Sequence, residues 1–185
     1  MTNPVLETIA RRYSCRSFDG RHPTREQLEA VAQAAIQSPS AVNRQPWRVI
    51  MVEDAALLAD LETAATQVLA SMEDQSTYDR IQQRGGRLFY HAPALVMLPL
   101  DPQASGAPLD CGIVAQTVAL AAASVGLDSV ICGLAGCAFQ GEQGPELARR
   151  LGFPQGYTFG MAVLLGYGAA PGTPHQPDQD KISWV

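Results

Sequence analysis

The sequence is poorest in the apparatus of metal and covalent catalysis. Its three histidines, His22, His91 and His175, are scattered along 185 residues. Its four cysteines, Cys15, Cys111, Cys132 and Cys137, make no CxxC pair and no Cys/His cluster at zinc spacing. No metal site is therefore expected. No Gly-Lys-[Ser/Thr] closes a phosphate-cradling loop, and no GxSxG turn presents a nucleophile. Gly133, Gly136 and Gly141 fall at the wrong spacing for a dinucleotide fingerprint. The N-terminus has no apolar targeting region. The longest apolar run, Ile113 to Val125, is interrupted by Gln116, Thr117 and Ser124 and falls short of the roughly 18 residues of a membrane span. These absences predict a cytoplasmic protein whose cysteines serve as small buried hydrophobes. They fit an enzyme whose chemistry belongs to a bound cofactor, with the protein supplying binding and electrostatics.

Lysine is nearly absent as well: of 13 basic residues, only Lys181 is not arginine. The net charge of −5 argues against a nucleic-acid partner. The charge is uneven, because residues 1–50 carry seven arginines against four acidic residues. Arginine grips phosphate or carboxylate in bidentate fashion, so an arginine-rich segment in an acidic chain points to a small anionic ligand or to an ordinary solvated face. What the chain has in quantity is aliphatic surface. Hydrophobic residues make up 46% and charged ones 17%, which suits one globular domain over 1–185 and a sizeable subunit interface.

Helix and strand signals alternate without a regular βαβ rhythm. Asn3 caps a first helix with Pro4 in its first turn, and Thr24 with Gln27 makes a capping box ahead of the stripe Leu28, Val31, Ala32, Ala35. A loop runs from Pro39 to Pro46, and a strand is expected from Arg48 to Val52. Asp54 caps a third helix with Leu57, Leu61, Ala65, Val68, Leu69 and Met72 on its apolar side. Residues 73–87 are polar and carry no clear pattern. Further strands are expected at Ala94–Leu98, Ser129–Cys132 and Tyr157–Leu165. Helices are expected from Asp110 to Gly126, apolar on more than one face, and from Pro145 to Leu151. The tail from Ala169 is polar and proline-rich but ends in Ile182-Ser183-Trp184-Val185, as a segment that docks on something apolar would. The fold class is α+β, a central sheet flanked by helices.

Two segments carry candidate chemistry. Arg12-Tyr13-Ser14-Cys15-Arg16-Ser17-Phe18 offers two guanidinium groups and a hydroxyl to one phosphate, or is a polar turn with solvated arginines. Pro39-Ser40-Ala41-Val42-Asn43-Arg44-Gln45-Pro46-Trp47 is a loop whose amide side chains can read the polar edge of a heterocycle, or a turn closed by a core tryptophan. Together, in this order and separation, they resemble the R-x-S-x-R-x-F and P-S-x-x-N-x-Q-P-W motifs of the nitroreductase family of flavoproteins. His91-Ala92-Pro93 before an apolar strand, Leu127-Asp128-Ser129-Val130 after the apolar helix, and Gly166-Tyr167-Gly168 extend the resemblance over most of the chain.

The resemblance implies a mainly antiparallel sheet in an intertwined homodimer with FMN at the subunit interface. Arg12, Ser14 and Arg16, with the Tyr13 backbone, would hold the phosphate and ribityl end. Pro39, Ser40, Ala41, Asn43 and Gln45 would reach the flavin from the other subunit, and Cys132, Gly133 and Leu134 would bring backbone N–H groups near N5. His175 is nearest to the family's basic residue in the tail, a weaker and pH-dependent phosphate contact, and the tail 169–185 would dock on the partner. The implied activity is ping-pong transfer of reducing equivalents from NADH or NADPH through FMN to a nitroaromatic, quinone, flavin, azo compound or enone, with no side chain as nucleophile. Alternatives on the same scaffold are a flavin storage or sensor protein without efficient turnover, dehalogenation, oxidation of peptide heterocycles, or flavin fragmentation.

Overall fold

The computed structural model describes residues 3–185. Four strands form one antiparallel sheet: β1 (Ile50–Val52), β2 (Ala94–Leu100), β3 (Asp128–Ile131) and β4 (Thr158–Gly166), in spatial order β1-β2-β4-β3. Every residue of β2 is buried, as expected of a strand covered on both faces. Side-chain alternation then divides the core. Val96 and Leu98 of β2, with Val163 and Leu165 of β4, pack beneath helices α2 (Arg25–Ile36) and α5 (Ala107–Ser124). Leu95 and Met97, with Ala162 and Leu164, face the other layer, built from α3 (Ala55–Ser71), α6 (Gly144–Leu151) and the 3-10 turn Gly133–Phe139. The α+β class and the antiparallel sheet agree with the sequence expectation.

Local signals explain most boundaries. In α1 (Pro4–Arg11) the Asn3 carboxamide accepts from the Val5 N–H at 3.0 Å. The Thr24/Gln27 capping box closes reciprocally at the start of α2. Four expectations need correction. The strand expected from Arg48 begins at Ile50, because Arg48 instead donates its N–H to the Pro99 carbonyl beside the register shift at Leu98/Pro99. The helix expected from Asp110 begins at Ala107, with Gly106 in the left-handed region at φ 83° and Pro108 in the first turn. Asp110 is thereby buried inside the helix rather than capping it. Met72 is exposed past the end of α3, whose sheet-facing side carries Leu58, Leu61, Ala65 and Leu69. Finally, the unpatterned stretch 73–87 contains a helix, α4 (Ser76–Gln83), seated on buried Ile81 and ended by Gly85 and Gly86 at positive φ.

By length and mean hydropathy alone, α5 could cross a membrane. Its packing against β2 and β4 accounts for the buried half of that apolarity. The other half lies open with Leu109 and Ile113, continuous in character with the exposed Val5, Leu6 and Ile9 of α1 and Ile36 of α2. An apolar groove of about 400 Å³ runs between these helices, lined by Val5, Ala34 and Leu120 among others.

Candidate active site

The segment Arg12–Asp19 is fixed by the edge of β3. Ser14 pairs with Ser129 in a parallel bridge, and the Cys15 N–H donates to the Ser129 carbonyl at 2.9 Å. Cys15 and Phe18 are buried anchors, so Arg16 and Ser17 face outward. The Phe18 N–H continues the stitching to the Tyr90 carbonyl at 3.1 Å. Tyr13 packs against the start of the tail so closely that a Cβ on Gly172 would stand 1.8 Å from its ring. Burial first, and then neighbouring Cys15 and Asp128, push the Tyr13 phenol well above its ordinary range. Tyr13 is thus a neutral post holding the motif against the tail.

Six of the predicted residues line two cavities beside β3, and Ser14, paired with Ser129, lines neither. Arg12 and Tyr13 line one of about 180 Å³ with Asp128 and Ser129. Arg16, Cys132, Gly133 and Leu134 line another of about 430 Å³ with Val130, Ile131 and Tyr90. The fourth wall of this larger cavity is α4, through Thr77, Arg80, Ile81 and Arg84. Gly133 and Leu134 are exposed at the first turn of the 3-10 segment, where N–H groups lack helical partners. Cys132 is buried, and that burial pushes its thiol up to about 11, so it is a neutral wall residue and no nucleophile.

The Pro39–Gln45 loop lines neither of these two cavities. Its N-terminal half is held from behind by buried Asp110, whose carboxylate accepts from the Ala41 N–H at 3.3 Å and 3.4 Å. Ser40 Oγ accepts from the Gln45 N–H at 2.8 Å, and the Gln45 amide donates to Asn43 Oδ1 at 2.9 Å. Val42, Asn43 and Gln45 all have positive φ, 46°, 54° and 48°. Such left-handed backbone is costly for a β-branched residue and concentrates at functional sites. Among the described residues, the buried side-chain polar atoms without a hydrogen-bond partner are Ser38 Oγ and Trp47 Nε1, one at each end of this loop. Asn43 and Gln45 themselves are exposed and point away from the chain's own core. His175 is exposed in the tail and lines neither cavity.

Arg80, Arg84 and Tyr90 were not singled out from sequence. The signal was present in the i, i+4 spacing of Arg80 and Arg84, a like-charge pair that weakens an isolated helix by a few tenths of a kcal/mol. A short polar helix that keeps such a pair has something for it to face.

The pattern of the Nitroreductase family matches residues 9–167. The chain belongs to the nitroreductase family. It is 51% identical, over the full length of both chains, to a nitroreductase from Desulfitobacterium hafniense DCB-2 whose crystal structure contains bound FMN, with a TM-score of 0.97. A nitroreductase of Bacteroides fragilis NCTC 9343, also solved with bound FMN, is 27% identical over the whole of both chains with a TM-score of 0.89. An Archaeoglobus fulgidus protein named as an NADH dehydrogenase/NAD(P)H nitroreductase is 29% identical over 88% of this chain and 84% of its own length.

Proposed function

We propose that the chain is an FMN-dependent oxidoreductase that passes reducing equivalents from NADH or NADPH to a small electrophilic acceptor, in ping-pong order and as a homodimer. The observation that carries this reading is the cavity of about 430 Å³ in which Arg16 and an open 3-10 turn at Gly133 and Leu134 face one another across β3. The residues fit FMN: guanidinium groups for a phosphate and exposed backbone N–H groups for the ring edge. When bound, FMN supplies a ring nitrogen, N5, that accepts a hydride from a nicotinamide and gives one to a second substrate.

The chain's own residues bind and orient. Arg12 and Ser14 hold the phosphate, Arg16 the ribityl end, and the Tyr13 backbone completes that wall. The backbone at Gly133 and Leu134 donates toward N5, where preorganised N–H groups stabilise developing charge, while Cys132 closes the cavity as a neutral thiol. Pro39, Ser40, Ala41, Asn43 and Gln45 belong to the partner's site, a placement supported by the loop's outward, strained backbone and by the unpartnered polar atoms at its ends. His175 joins the phosphate from the tail, and Ile182 and Trp184, exposed on the single chain, dock on the partner.

The test is the visible spectrum of the purified protein and its anaerobic response to NADH and NADPH. A flavin spectrum that bleaches, and returns on adding a nitroaromatic or quinone, is expected. Arg12→Ala is expected to lose FMN by at least about tenfold in affinity, the scale of one charge-assisted contact. Stoichiometric flavin in that variant would remove Arg12 from the phosphate site. Flavin that resists both nicotinamides would turn the reading to storage or sensing.

A further inference from the structure

The arginines of this chain divide into two groups. Five are neutralised by carboxylates: Arg21 by Asp19 at 2.6 Å, Arg25 by Glu29 at 2.8 Å, Arg87 by Glu62 at 2.8 Å, Arg149 by Glu146 at 2.6 Å and Arg150 by Asp60 at 2.7 Å. Among the described residues, seven arginines, Arg11, Arg12, Arg16, Arg44, Arg48, Arg80 and Arg84, have no carboxylate within 4.0 Å, and three of them, Arg16, Arg80 and Arg84, line one cavity. The placement is helical geometry. Thr77, Arg80 and Ile81 stand at i, i+3 and i+4 on one face of α4, and Arg84, the residue at its C-terminal cap, lines the same cavity. Ile81 is the buried member that seats this face on the core, so the two arginines beside it are delivered to the cavity wall. Arg80 donates to Thr77 Oγ1 at 3.3 Å within the helix, and its charge forms no ion pair within 4.0 Å, although Ser76 first and Arg80 after it hold the carboxyl of Asp74 below its ordinary range. The nearby Asp74 accepts from the Ser76 N–H at 2.9 Å.

A phosphate monoester carries roughly two negative charges at neutral pH. On the reading proposed above, Arg12, Ser14 and His175 hold that phosphate and Arg16 the ribityl end, so the cofactor's polar groups already have partners. Arg80 and Arg84 therefore exceed what FMN requires, in a chain whose net charge is −5. We infer that α4 is the substrate-selecting wall of the site, and that Arg80 and Arg84 clasp an anionic group, a carboxylate or phosphate, on a substrate that enters beside the cofactor. This inference rests on the proposed oxidoreductase function. The anionic group has two chemical sources: the 2′-phosphate that distinguishes NADPH from NADH, or a carboxylate on the acceptor. Either is drawn to a half-open cationic cavity at long range, so the preference weakens as salt rises.

The experiment uses FMN-loaded wild type, Arg80→Gln, Arg84→Gln and the double variant. Selectivity is read as the ratio of kcat/KM for NADPH over NADH, and for 4-nitrobenzoate over 4-nitrobenzyl alcohol. Independently of turnover, benzoate and benzyl alcohol are titrated into the oxidised holoprotein and followed by the change in the flavin spectrum. The double variant is expected to lower one of the two selectivity ratios by about tenfold, with each single variant intermediate. A fall confined to the nicotinamide pair identifies the 2′-phosphate, and a fall confined to the nitro pair, with weakened benzoate binding, identifies an acceptor carboxylate. The inference is overturned if both ratios move by less than about twofold. It is equally overturned if FMN dissociates and all substrates slow alike, since the arginines would then serve the cofactor. Should the wild type oxidise neither nicotinamide, the oxidoreductase reading fails by itself, while benzoate against benzyl alcohol still decides the clasp.

Discussion

At the scale of the residue, this site is built from groups kept out of acid–base chemistry. Burial pushes the Cys132 thiol from an ordinary value near 9 up to about 11, and the more deeply buried Cys111 up to about 12. Both folded-state values lie above the unfolded one, so the protonated thiols favour the native state fully below pH 9, and that stability is lost as pH rises toward 11 and 12. For Cys132 the two-unit difference corresponds to about 3 kcal/mol. Cys132→Ala is therefore expected to flatten the fall in stability between pH 9 and 11 relative to wild type, measured by urea denaturation at a series of pH values. An unchanged alkaline slope would mean that the thiol is not desolvated in solution. The same scale explains what was legible in the sequence. Arg12, Ser14 and Arg16 are neighbours in the chain, and folding keeps the segment along β3 through Cys15 and Phe18 while turning Arg12 and Arg16 into two different cavities. The left-handed backbone at Val42, Asn43 and Gln45 was not read from the sequence, and the brace on the loop's first half, the Asp110 carboxylate on the Ala41 N–H, comes from 69 residues away.

At the scale of the element, boundaries followed caps where caps were local and failed where burial decided. The Thr24/Gln27 box marked α2 correctly, whereas the helix expected to begin at Asp110 begins at Ala107 and holds Asp110 as a buried brace one turn inside. Helix α4 was illegible because only Ile81 and the half-buried Tyr78 seat it, too few for a periodic signal. The 3-10 turn Gly133–Phe139 looked irregular, yet its shape is set by close packing: a Cβ on Gly136 would stand 2.7 Å from the Phe159 ring, which in turn stacks on Phe139 with centroids 5.7 Å apart. Gly136→Ala is expected to cost about 1–3 kcal/mol by overpacking, a drop in Tm on the order of 5 °C for a domain of this size. Because the turn presents Gly133 and Leu134, flavin affinity should weaken in parallel, read by flavin content after gel filtration. A variant as stable as wild type would mean that Phe159 moves aside freely.

At the scale of the whole molecule, the two family motifs face different directions on one subunit. Arg16 and the Gly133 turn line one cavity, while Asn43 and Gln45 sit on a loop that does not reach it. Val5, Leu6, Ile9, Leu109 and Ile113 are exposed apolar residues, and on the proposed homodimer reading a second copy covers them and brings its loop to this subunit's cavity. Trans-subunit assembly makes a prediction that assembly within one chain does not. Arg12→Ala breaks the phosphate side of the site, and a double Asn43→Ala, Gln45→Ala variant breaks the loop side. Each variant alone is expected to be nearly free of FMN. Unfolded together and refolded, half the dimers are mixed if pairing is random, and each mixed dimer holds one site with both broken sides and one with both intact. FMN content and NAD(P)H oxidation should then recover to about a quarter of wild type. If each loop served its own subunit, every site in the mixed dimer would keep one broken side and no recovery would occur. Adding Ile113→Glu to both variants places a charge in the apolar face and should abolish the recovery while leaving each monomer folded, as judged by circular dichroism and sedimentation.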